Sequence, residues 1–466
     1  MKKLLFILGL FLVTNLFGSK IPTSSVVKIF ASVSYFNYEF PWQAPSVYKY
    51  TGSGAIIENH QILTSAHVVG GANFIEVLKE GDPNKYIAKI KYISNQSDLA
   101  ILEVQEESFF NDTKPLALNE KIAHRDPVTV LGYPIGGDSI ATTTGIISRI
   151  EYTPYVWSKN NLLSIQIDAA INSGNSGGPV INKEGELVGI AMQSLKNASN
   201  IGYIVPAILI NTFLKDVQDG KIDGLHFTAT TTRTIENPTM KKYYNLKDEG
   251  VLVTFVDRND SELKNEDILL TIEGKPIANN GTIDTKLGRV DYKIVLHSKQ
   301  VGESVRLSVL RDTKIIEVSY KLKYADPLIK MELNQEPKYF IFAGLIFTPL
   351  TKNLLTALDK EKYAYEMLFY QQEKNAEFEE PVVFIKTIFP HSVNRGYTSN
   401  ISVIEFVNGI KIANFAQFVD TINSSQEKYI IIDFIEKKRV ILDRIEAIKS
   451  FEEIQKVYKI AQDRRI

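Results

Sequence analysis

The chain has 466 residues, of which 44% are hydrophobic and 23% charged, and its formal net charge is −1. This composition is typical of a globular protein with two or three domains, and a nearly neutral chain lacks the basic field that nucleic-acid binding needs, so nucleic acid is excluded as a partner. The sequence has no cysteine and only six histidines, without an H-E-x-x-H motif, so we expect no disulfide, no metal and no cofactor.

Residues 1–19 have the pattern of a secretory signal peptide. Two lysines precede an apolar stretch at residues 4–17, and the small residues Gly18 and Ser19 follow it. The alternative is a membrane anchor, but a spanning helix needs about 20 apolar residues, more than this stretch provides. We therefore expect export and removal of the leader, which leaves a mature chain with no stable membrane insertion.

From residue 26 to residue 204 the sequence is a succession of short β-branched and aromatic runs separated by Gly, Asn, Asp and Pro. Examples are residues 54–57, 127–131, 144–150 and 163–167. Many short strands at near-regular spacing predict β-barrels or β-sandwiches. The polar stretch at residues 111–126 is the predicted crossover between two barrels.

Three residues in this region have the chemistry of a serine hydrolase. His67 ends the run Thr-Ser-Ala-His, Asp98 stands in Ser-Asp-Leu-Ala, and Ser176 lies in Asn-Ser-Gly-Asn-Ser-Gly-Gly-Pro. A serine hydroxyl becomes a nucleophile when an imidazole takes its proton and a carboxylate fixes the imidazole tautomer. Each residue alone has an ordinary explanation as a packed histidine, a strand cap or a turn serine. Together they predict a catalytic triad in the order His, Asp, Ser.

The glycines around Ser176 suit an oxyanion hole, because a tight turn without Cβ atoms can point backbone N–H groups at a substrate carbonyl. We expect Gly174 and Ser176 to donate these N–H groups and Asn175 to shape the turn. The same residues also fit the G-x-S-x-G elbow of α/β-hydrolases, which requires a following helix and a later histidine. Residues 180–190 instead predict a hairpin with its turn at residues 183–185, and His67 comes earlier in the chain.

Longer motifs resemble those of the HtrA/Deg serine proteases. They are residues 64–69, 97–102 and 168–179. Residues 40–43, 126–140 and 340–347 are similar to the branch of that family with two PDZ domains. The resemblance implies a mainly β fold, in which a chymotrypsin-like double β-barrel protease domain at residues 20–220 is followed by two PDZ domains. We expect the first PDZ domain at residues 221–324 and a second, divergent one with a C-terminal helix at residues 325–466.

The second half of the chain contains a repeat that agrees with two PDZ domains. Residues 267–279 align without gaps on residues 402–414, and each copy follows an apolar strand. In the first copy the expected peptide-carboxylate loop, near residues 224–230, departs from the usual pattern, whereas residues 342–347 of the second are closer to it. The alternative is that these modules serve only for packing or assembly.

Helical periodicity predicts two helices outside the barrels. Residues 206–220 carry apolar positions at helical spacing and end in glycine, and residues 445–460 place apolar side chains on one stripe. We expect the first helix to lead out of the protease domain and the second to dock or to contact another copy. Near the mature N-terminus, the aromatic cluster at residues 35–42 is either ordinary core or, by the resemblance, the seat of a trimer.

By the resemblance, the protein is an ATP-independent serine endopeptidase that degrades unfolded or damaged proteins in the periplasm, as part of protein quality control. Ser176 is then the nucleophile, His67 the general base and acid, and Asp98 the residue that orients His67. Residues 171–175 and 192–201 border a pocket for small aliphatic side chains. The expected partners are unfolded proteins or peptides and further copies of the chain, in trimers or multiples of trimers. The alternative function is a holdase chaperone or PDZ scaffold whose protease activity is secondary or switched off.

Overall fold

The computed structural model of the chain describes nine segments that together contain all the elements named below. They are residues 21–155, 161–194, 201–226, 230–256, 262–324, 328–332, 335–358, 379–397 and 401–466. The predicted signal peptide and its cleavage site lie outside these residues. In the described segments, no helix combines the length and the apolar character needed to cross a membrane.

The first β-barrel is closed by six antiparallel strands in the order β1-β2-β3-β6-β5-β4. Inward-facing β-branched side chains such as Val27, Ile29 and Ile62 are fully buried in its core. The elements are β1 (Val26–Tyr35), β2 (Ser46–Ile57), β3 (Gln61–Thr64), α1 (Ala66–Val69), β4 (Ala72–Lys79), β5 (Tyr86–Ser94) and β6 (Leu99–Val104).

The second barrel repeats this design with the strand order β10-β11-β12-β9-β8-β7. Its strands are β7 (Pro127–Gly132), β8 (Ala141–Pro154), β9 (Asn161–Ile167), β10 (Pro179–Ile181), β11 (Leu187–Ser194) and β12 (Gly202–Pro206). The predicted pair of barrels and the crossover between them are confirmed. A strand, β10, and not a helix, follows Ser176, which excludes the α/β-hydrolase elbow. Helix α2 (Ala207–Asp216) leaves the barrel as the periodicity predicts, and a 3-10 turn (Val217–Asp219) ends it at Gly220.

A middle unit follows, which we define as residues 231–322. Its main sheet has the order β13-β14-β15-β19-β20, with β16 paired to β15. Its elements are β13 (Thr231–Thr234), α3 (Pro238–Tyr243), β14 (Val251–Phe255), β15 (Ile268–Ile272), β16 (Lys275–Pro276), β17 (Thr282–Thr285), β18 (Gly288–Asp291), α4 (Lys293–His297), β19 (Ser304–Arg311) and β20 (Lys314–Lys321). Within the described residues, β13 is an edge strand that pairs with β14 alone.

The C-terminal unit, residues 339–465 as far as they are described, has the sheet order β27-β26-β24-β23-β22-β21-β28, with β25 paired to β24. Its elements are β21 (Tyr339–Phe342), β22 (Leu345–Pro349), α5 (Lys352–Ala357), β23 (Val382–Ile388), a 3-10 turn (Ser392–Asn394), β24 (Ser402–Val407), β25 (Ile410–Lys411), α6 (Phe415–Ser424), β26 (Tyr429–Phe434), β27 (Arg439–Asp443), α7 (Arg444–Tyr458) and β28 (Arg464–Arg465).

The sequence repeat is also a structural repeat. In each copy a strand and a short return strand, β15 with β16 and β24 with β25, are joined by a two-residue turn that ends in glycine. The neighbouring strands also correspond, because β14-β15-β19-β20 in the middle unit has the same order as β23-β24-β26-β27 in the C-terminal unit. The two units therefore share one topology over four strands.

The aromatic cluster at residues 35–42 divides between two environments. Trp42 packs on Phe389 of the C-terminal unit, with ring centroids 5.0 Å apart, and the Tyr38 hydroxyl donates to the carbonyl of Gln335 at 2.9 Å. Tyr35, in contrast, is 39% exposed and lies beside Tyr48, with ring centroids 5.5 Å apart. Part of the cluster therefore holds the N-terminal segment to the C-terminal unit, and part remains on the surface.

The C-terminal helix α7 buries only part of its predicted apolar stripe. Ile454 is buried together with Ala447 and Ser450, whereas Ile445 and Ile448 are 54% and 55% exposed. Helix α7 therefore docks on the C-terminal unit through these buried residues, which agrees with the first of the two expectations. Contact of its exposed apolar residues with another copy stays a prediction.

Candidate active site

His67 and Asp98 are neighbours because the strands that lead to them are paired. His67 lies in α1 directly after β3, and Asp98 directly precedes β6, and these two strands pair with Thr64 opposite Ala100. Asp98 has a φ of 56°, in the left-handed region, and its carbonyl accepts a hydrogen bond from the N–H of Ala66 at 3.1 Å. This hydrogen bond holds the first residue of α1 next to Asp98.

The side chains of His67 and Asp98 form a hydrogen-bonded pair. Nδ1 of His67 lies 2.9 Å from Oδ2 and 3.0 Å from Oδ1 of Asp98, and the backbone N–H of His67 donates to Oδ1 at 3.0 Å. The carboxylate is completely buried. Burial lowers the pKa of His67, but the charge of Asp98 and the hydrogen bond to it raise that pKa by more, so the net direction is upward. The pair favours a proton on Nδ1 and leaves Nε2 as an acceptor.

Ser176 stands in a tight turn that follows β9 and precedes β10. The N–H of Asn175 donates to the carbonyl of Asn172 at 3.0 Å, and Gly174 has a φ of +100°. A Cβ at Gly174 would overlap the carbonyl oxygen of Tyr133, so only glycine fits this position. Among the described residues, the N–H groups of Gly174 and Ser176 donate to no acceptor. The turn therefore has two backbone donors available for a developing oxyanion.

The Ser176 hydroxyl is near this pair but is directed elsewhere. It donates to the carbonyl of Met192 at 3.5 Å, and within the described part of the chain it forms no hydrogen bond with His67. Such contacts in proteases without substrate are often long and form fully only in the substrate complex. Of the three predicted residues, the structure thus joins His67 to Asp98 directly, and the serine must exchange its hydrogen-bond partner before it can donate to Nε2.

Gly177 brings the serine turn against the segment that carries the histidine. A Cβ at Gly177 would overlap Oγ1 of Thr64 and the carbonyl of Ser53, and it would lie 3.1 Å from the N atom of Ser65. The φ of Gly177 is +80°, which also favours glycine. The residue after Ser176 therefore touches the residues just before α1, and the two barrels meet at the predicted triad.

Ser53 of β2 holds the same turn from the first barrel. Its Oγ donates to the carbonyl of Gly174 at 2.8 Å and accepts from the N–H of Tyr133 at 2.8 Å. Its backbone N–H donates to the carbonyl of Ser176 at 2.9 Å. Because Ser53 is fully buried and bonded on both sides of Asn175, it fixes the turn that presents the candidate oxyanion donors.

Two residues of this site were not predicted from the sequence. Ser53 lies between Gly52 and Gly54, and glycines within a strand do signal a close backbone approach. Tyr155, directly after β8, has its hydroxyl 3.1 Å from Nδ1 of His67 and is 1% exposed. No local pattern distinguishes this tyrosine from other aromatic residues of the strand, because its partner belongs to the other barrel.

Two residues of the expected specificity borders, Ile171 and Met192, are apolar and buried. A Cβ at Gly202 would lie 2.7 Å from Cδ1 of Ile171, so the isoleucine side chain packs directly on the start of β12. Met192 is also buried, at 1% exposure. Of the second predicted border, residues 195–200 lie outside the described residues.

Known protein families match both halves of the chain. The family described as trypsin-like peptidase domain matches residues 52–190, and the PDZ domain family matches residues 329–465. Protease Do-like 2, chloroplastic, of Arabidopsis thaliana is 32% identical over 433 residues, which cover 90% of this chain and 71% of that protein. Protease Do-like 4, mitochondrial, of the same plant is 34% identical over 449 residues, which cover 94% of this chain and 84% of that protein.

Solved structures share the fold. The HtrA-type protease AlgW with decapeptide matches with a TM-score of 0.50 at 20% identity, over 66% of this chain and 97% of that one. AlgW with tripeptide matches with a TM-score of 0.51 at 21% identity, over 66% of this chain and 96% of that one.

Proposed function

This chain belongs to the HtrA/Deg family of trypsin-like serine peptidases, and we propose that it is an ATP-independent endopeptidase that degrades unfolded or damaged proteins in protein quality control. The observation that supports this best is the buried His67–Asp98 pair beside a glycine turn with two available N–H donors. The substrate class and the quality-control role are those of the family.

In the proposed reaction, Ser176 attacks the peptide carbonyl while Nε2 of His67 takes the hydroxyl proton and later returns it to the leaving amine. Asp98 holds His67 in the tautomer that leaves Nε2 free. The N–H groups of Gly174 and Ser176 stabilise the oxyanion, and Asn175, which is 1% exposed, fills the inside of their turn. Before attack, the Ser176 hydroxyl leaves the Met192 carbonyl.

We propose that the primary pocket accepts small aliphatic side chains. Ile171 occupies the space beside Gly202, Met192 is buried, and the described residues of the two borders carry no charged group. Apolar contacts of this kind favour valine, alanine or isoleucine over a charged side chain. Such a preference suits unfolded chains, which expose these residues.

The middle unit is proposed to be a first PDZ domain, on the basis of the four-strand topology it shares with the matched C-terminal unit. A PDZ domain binds a peptide as an added strand on a sheet edge. Residues 342–347 form the turn between β21 and β22 with the adjoining ends of both strands, and β22 has β21 on one side and β23 on the other, so that edge is already paired. Strand β13 has one unpaired side among the described residues and is the better place for an extended substrate segment.

That segment is not expected to be held by a terminal carboxylate at Gly224 or Leu225. The N–H of Gly224 donates to Asp216 at 2.9 Å, and the N–H of Leu225 donates to Gln96 at 2.8 Å. Residues 227–229 of the predicted loop lie outside the described residues.

We further propose export to the periplasm, on the basis of the leader at residues 1–19, and assembly into trimers or multiples of trimers. The exposed rings of Tyr35, Tyr48 and Tyr50 lie together on the first barrel, at 39%, 50% and 43% exposure. An aromatic surface of this kind is a candidate contact between copies. Sedimentation of the mature chain tests the assembly.

The function is tested with three purified proteins: wild type, Ser176→Ala and the matched control Ser108→Ala, which changes an exposed serine of the same domain outside the candidate site. Each is incubated without nucleotide with unfolded casein and with a fluorophosphonate that labels activated serines. We expect wild type and Ser108→Ala to cleave casein and to be labelled, and Ser176→Ala to do neither. Wild type that suppresses aggregation without cleavage or labelling would instead identify a holdase chaperone.

A further inference from the structure

Tyr155 places a buried hydroxyl next to the His67–Asp98 pair from the opposite barrel. It directly follows β8 of the second barrel, whereas His67 and Asp98 belong to the first. The hydroxyl lies 3.1 Å from Nδ1 of His67, and the two rings are 6.4 Å apart between centroids. A buried hydroxyl needs a hydrogen-bond acceptor, and among the described residues the Tyr155 hydroxyl makes its hydrogen-bond contact with this pair alone.

The position of the protons decides which group accepts from Tyr155. Nδ1 of a neutral imidazole can be either a donor or an acceptor. If it accepted from the tyrosine, its proton would be on Nε2, and His67 could not take a proton from Ser176. With Nδ1 donating to the buried carboxylate of Asp98, Nδ1 has no lone pair for the tyrosine proton, and the carboxylate beside that nitrogen is the acceptor left for it among the described residues. Burial first, and then the charge of Asp98, raise the pKa of Tyr155, so the hydroxyl stays a donor.

The Asp98 carboxylate needs such a donor. Among the described residues, its other hydrogen bonds come from His67 alone, through the backbone N–H and Nδ1. The neighbouring hydroxyl of Ser97 is buried and has no partner in the described part of the chain. A completely buried carboxylate is stabilised by each hydrogen-bond donor that it gains, and a donor from a second residue fixes it independently of His67.

We propose that Tyr155 is a positioning residue of the peptidase: its hydroxyl donates to Asp98 across the junction of the two barrels and keeps the carboxylate on Nδ1 of His67. The inference rests on the proposed roles of His67, Asp98 and Ser176. If Tyr155 has this role, the His67–Asp98 pair of the first barrel is ordered only when the second barrel is docked on it.

The test replaces the hydroxyl in the full mature chain. Tyr155→Phe is compared with wild type and with Tyr203→Phe, a buried tyrosine of β12 whose hydroxyl contacts Glu151. We expect Tyr155→Phe to lower kcat about tenfold or more with KM little changed, because a charge-assisted hydrogen bond is lost in a site that matters in the transition state. The acid limb of the kcat/KM profile should move to higher pH, since a carboxylate with one donor fewer stabilises the imidazolium more strongly.

A second variant keeps the test independent of the folding of Tyr155→Phe. Incorporation of 3-fluorotyrosine at position 155 makes the phenol a stronger donor, so the acid limb should move to lower pH. Tyr203→Phe should leave the limb in place. The proposal is overturned if the limb moves in neither Tyr155 variant, or if Tyr155→Phe loses only stability. Wild type that cleaves nothing would overturn the proposed function as well, whereas active wild type with unmoved profiles would overturn only the role of Tyr155.

Discussion

Substitution of Ser53 by alanine should damage both the stability of the barrel junction and the oxyanion turn. The hydroxyl is fully buried and has two partners, the carbonyl of Gly174 and the N–H of Tyr133, each at 2.8 Å. Alanine leaves both groups without a partner in a buried place. An orphaned buried group costs about 1–3 kcal/mol, so we expect the free energy of unfolding to fall by about 2–4 kcal/mol after some relaxation.

The same change should lower activity more than stability alone explains. Ser53 fixes the Gly174–Asn175 peptide, which lies between the two candidate oxyanion donors, so its loss lets one of them turn away. Loss of one such donor typically reduces kcat about 10²–10³-fold. The assay measures kcat and KM on a peptide substrate, with the concentration of folded sites set by fluorophosphonate titration. Urea unfolding gives the stability change.

Ser34→Ala is the matched control for Ser53→Ala, because Ser34 is also a buried serine of the first barrel and its hydroxyl accepts from Asn73 at 2.6 Å. It should lose stability and keep kcat. Wild-type kcat in Ser53→Ala, measured per titrated site, would refute the reasoning, as would equal loss of kcat in the two variants.

Three further changes test the candidate site and, through His297, the middle unit. Gly174→Ala should abolish cleavage, because the new Cβ overlaps the carbonyl of Tyr133 and the turn cannot close; far-UV circular dichroism should stay as in wild type. Asp98→Asn should reduce kcat about 10⁴-fold at almost unchanged size. In wild type the activity should rise as pH increases through the raised pKa of His67, since the neutral imidazole is the base. In Asp98→Asn the charge that raises this pKa is lost, so the acid limb of the kcat/KM profile should lie at lower pH. Burial lowers the pKa of His297 from 6.5 to about 3, so the unfolded chain binds more protons between these values and the free energy of unfolding should fall as pH decreases through that window. Urea unfolding at pH 7 and pH 4.5 should show a smaller decrease in His297→Gln, and an equal decrease in both proteins would contradict the assignment.

The sequence predicts the barrels well, and it proposes the three candidate catalytic residues, because these signals are local. Short β-branched runs broken by turn residues define strands without knowledge of their partners. His67, Asp98 and Ser176 each stand at a strand end within a short motif, and β-pairing between β3 and β6 then brings the first two together. No long-range information was needed to propose them.

Tyr155 and the packing of the N-terminal aromatic residues could not be predicted in this way. Each depends on a contact between segments far apart in the chain, such as Trp42 with Phe389 or Tyr155 with His67. Aromatic residues are common in β-strands whatever surface their side chains pack on, so the sequence does not show which segment they contact. The sequence also left open whether the stripe on α7 packs on its own unit or on another copy, because helical periodicity identifies an apolar face without showing what covers it.

The two barrels contact each other at the serine turn and also at the loop between β7 and β8, and the geometry of the candidate site depends on both contacts. The buried ammonium of Lys28, in β1, donates to the carbonyl of Gly137 at 2.8 Å and so holds the loop between β7 and β8 from the first barrel. In the same loop, the N–H of Ile135 donates to the carbonyl of Ser173 at 2.9 Å, directly before the candidate oxyanion donors. A displacement of either barrel therefore reaches the turn through Ser53 on one side and through this loop on the other. Because the donors are backbone groups, such a displacement can switch the site off while every catalytic side chain stays in place.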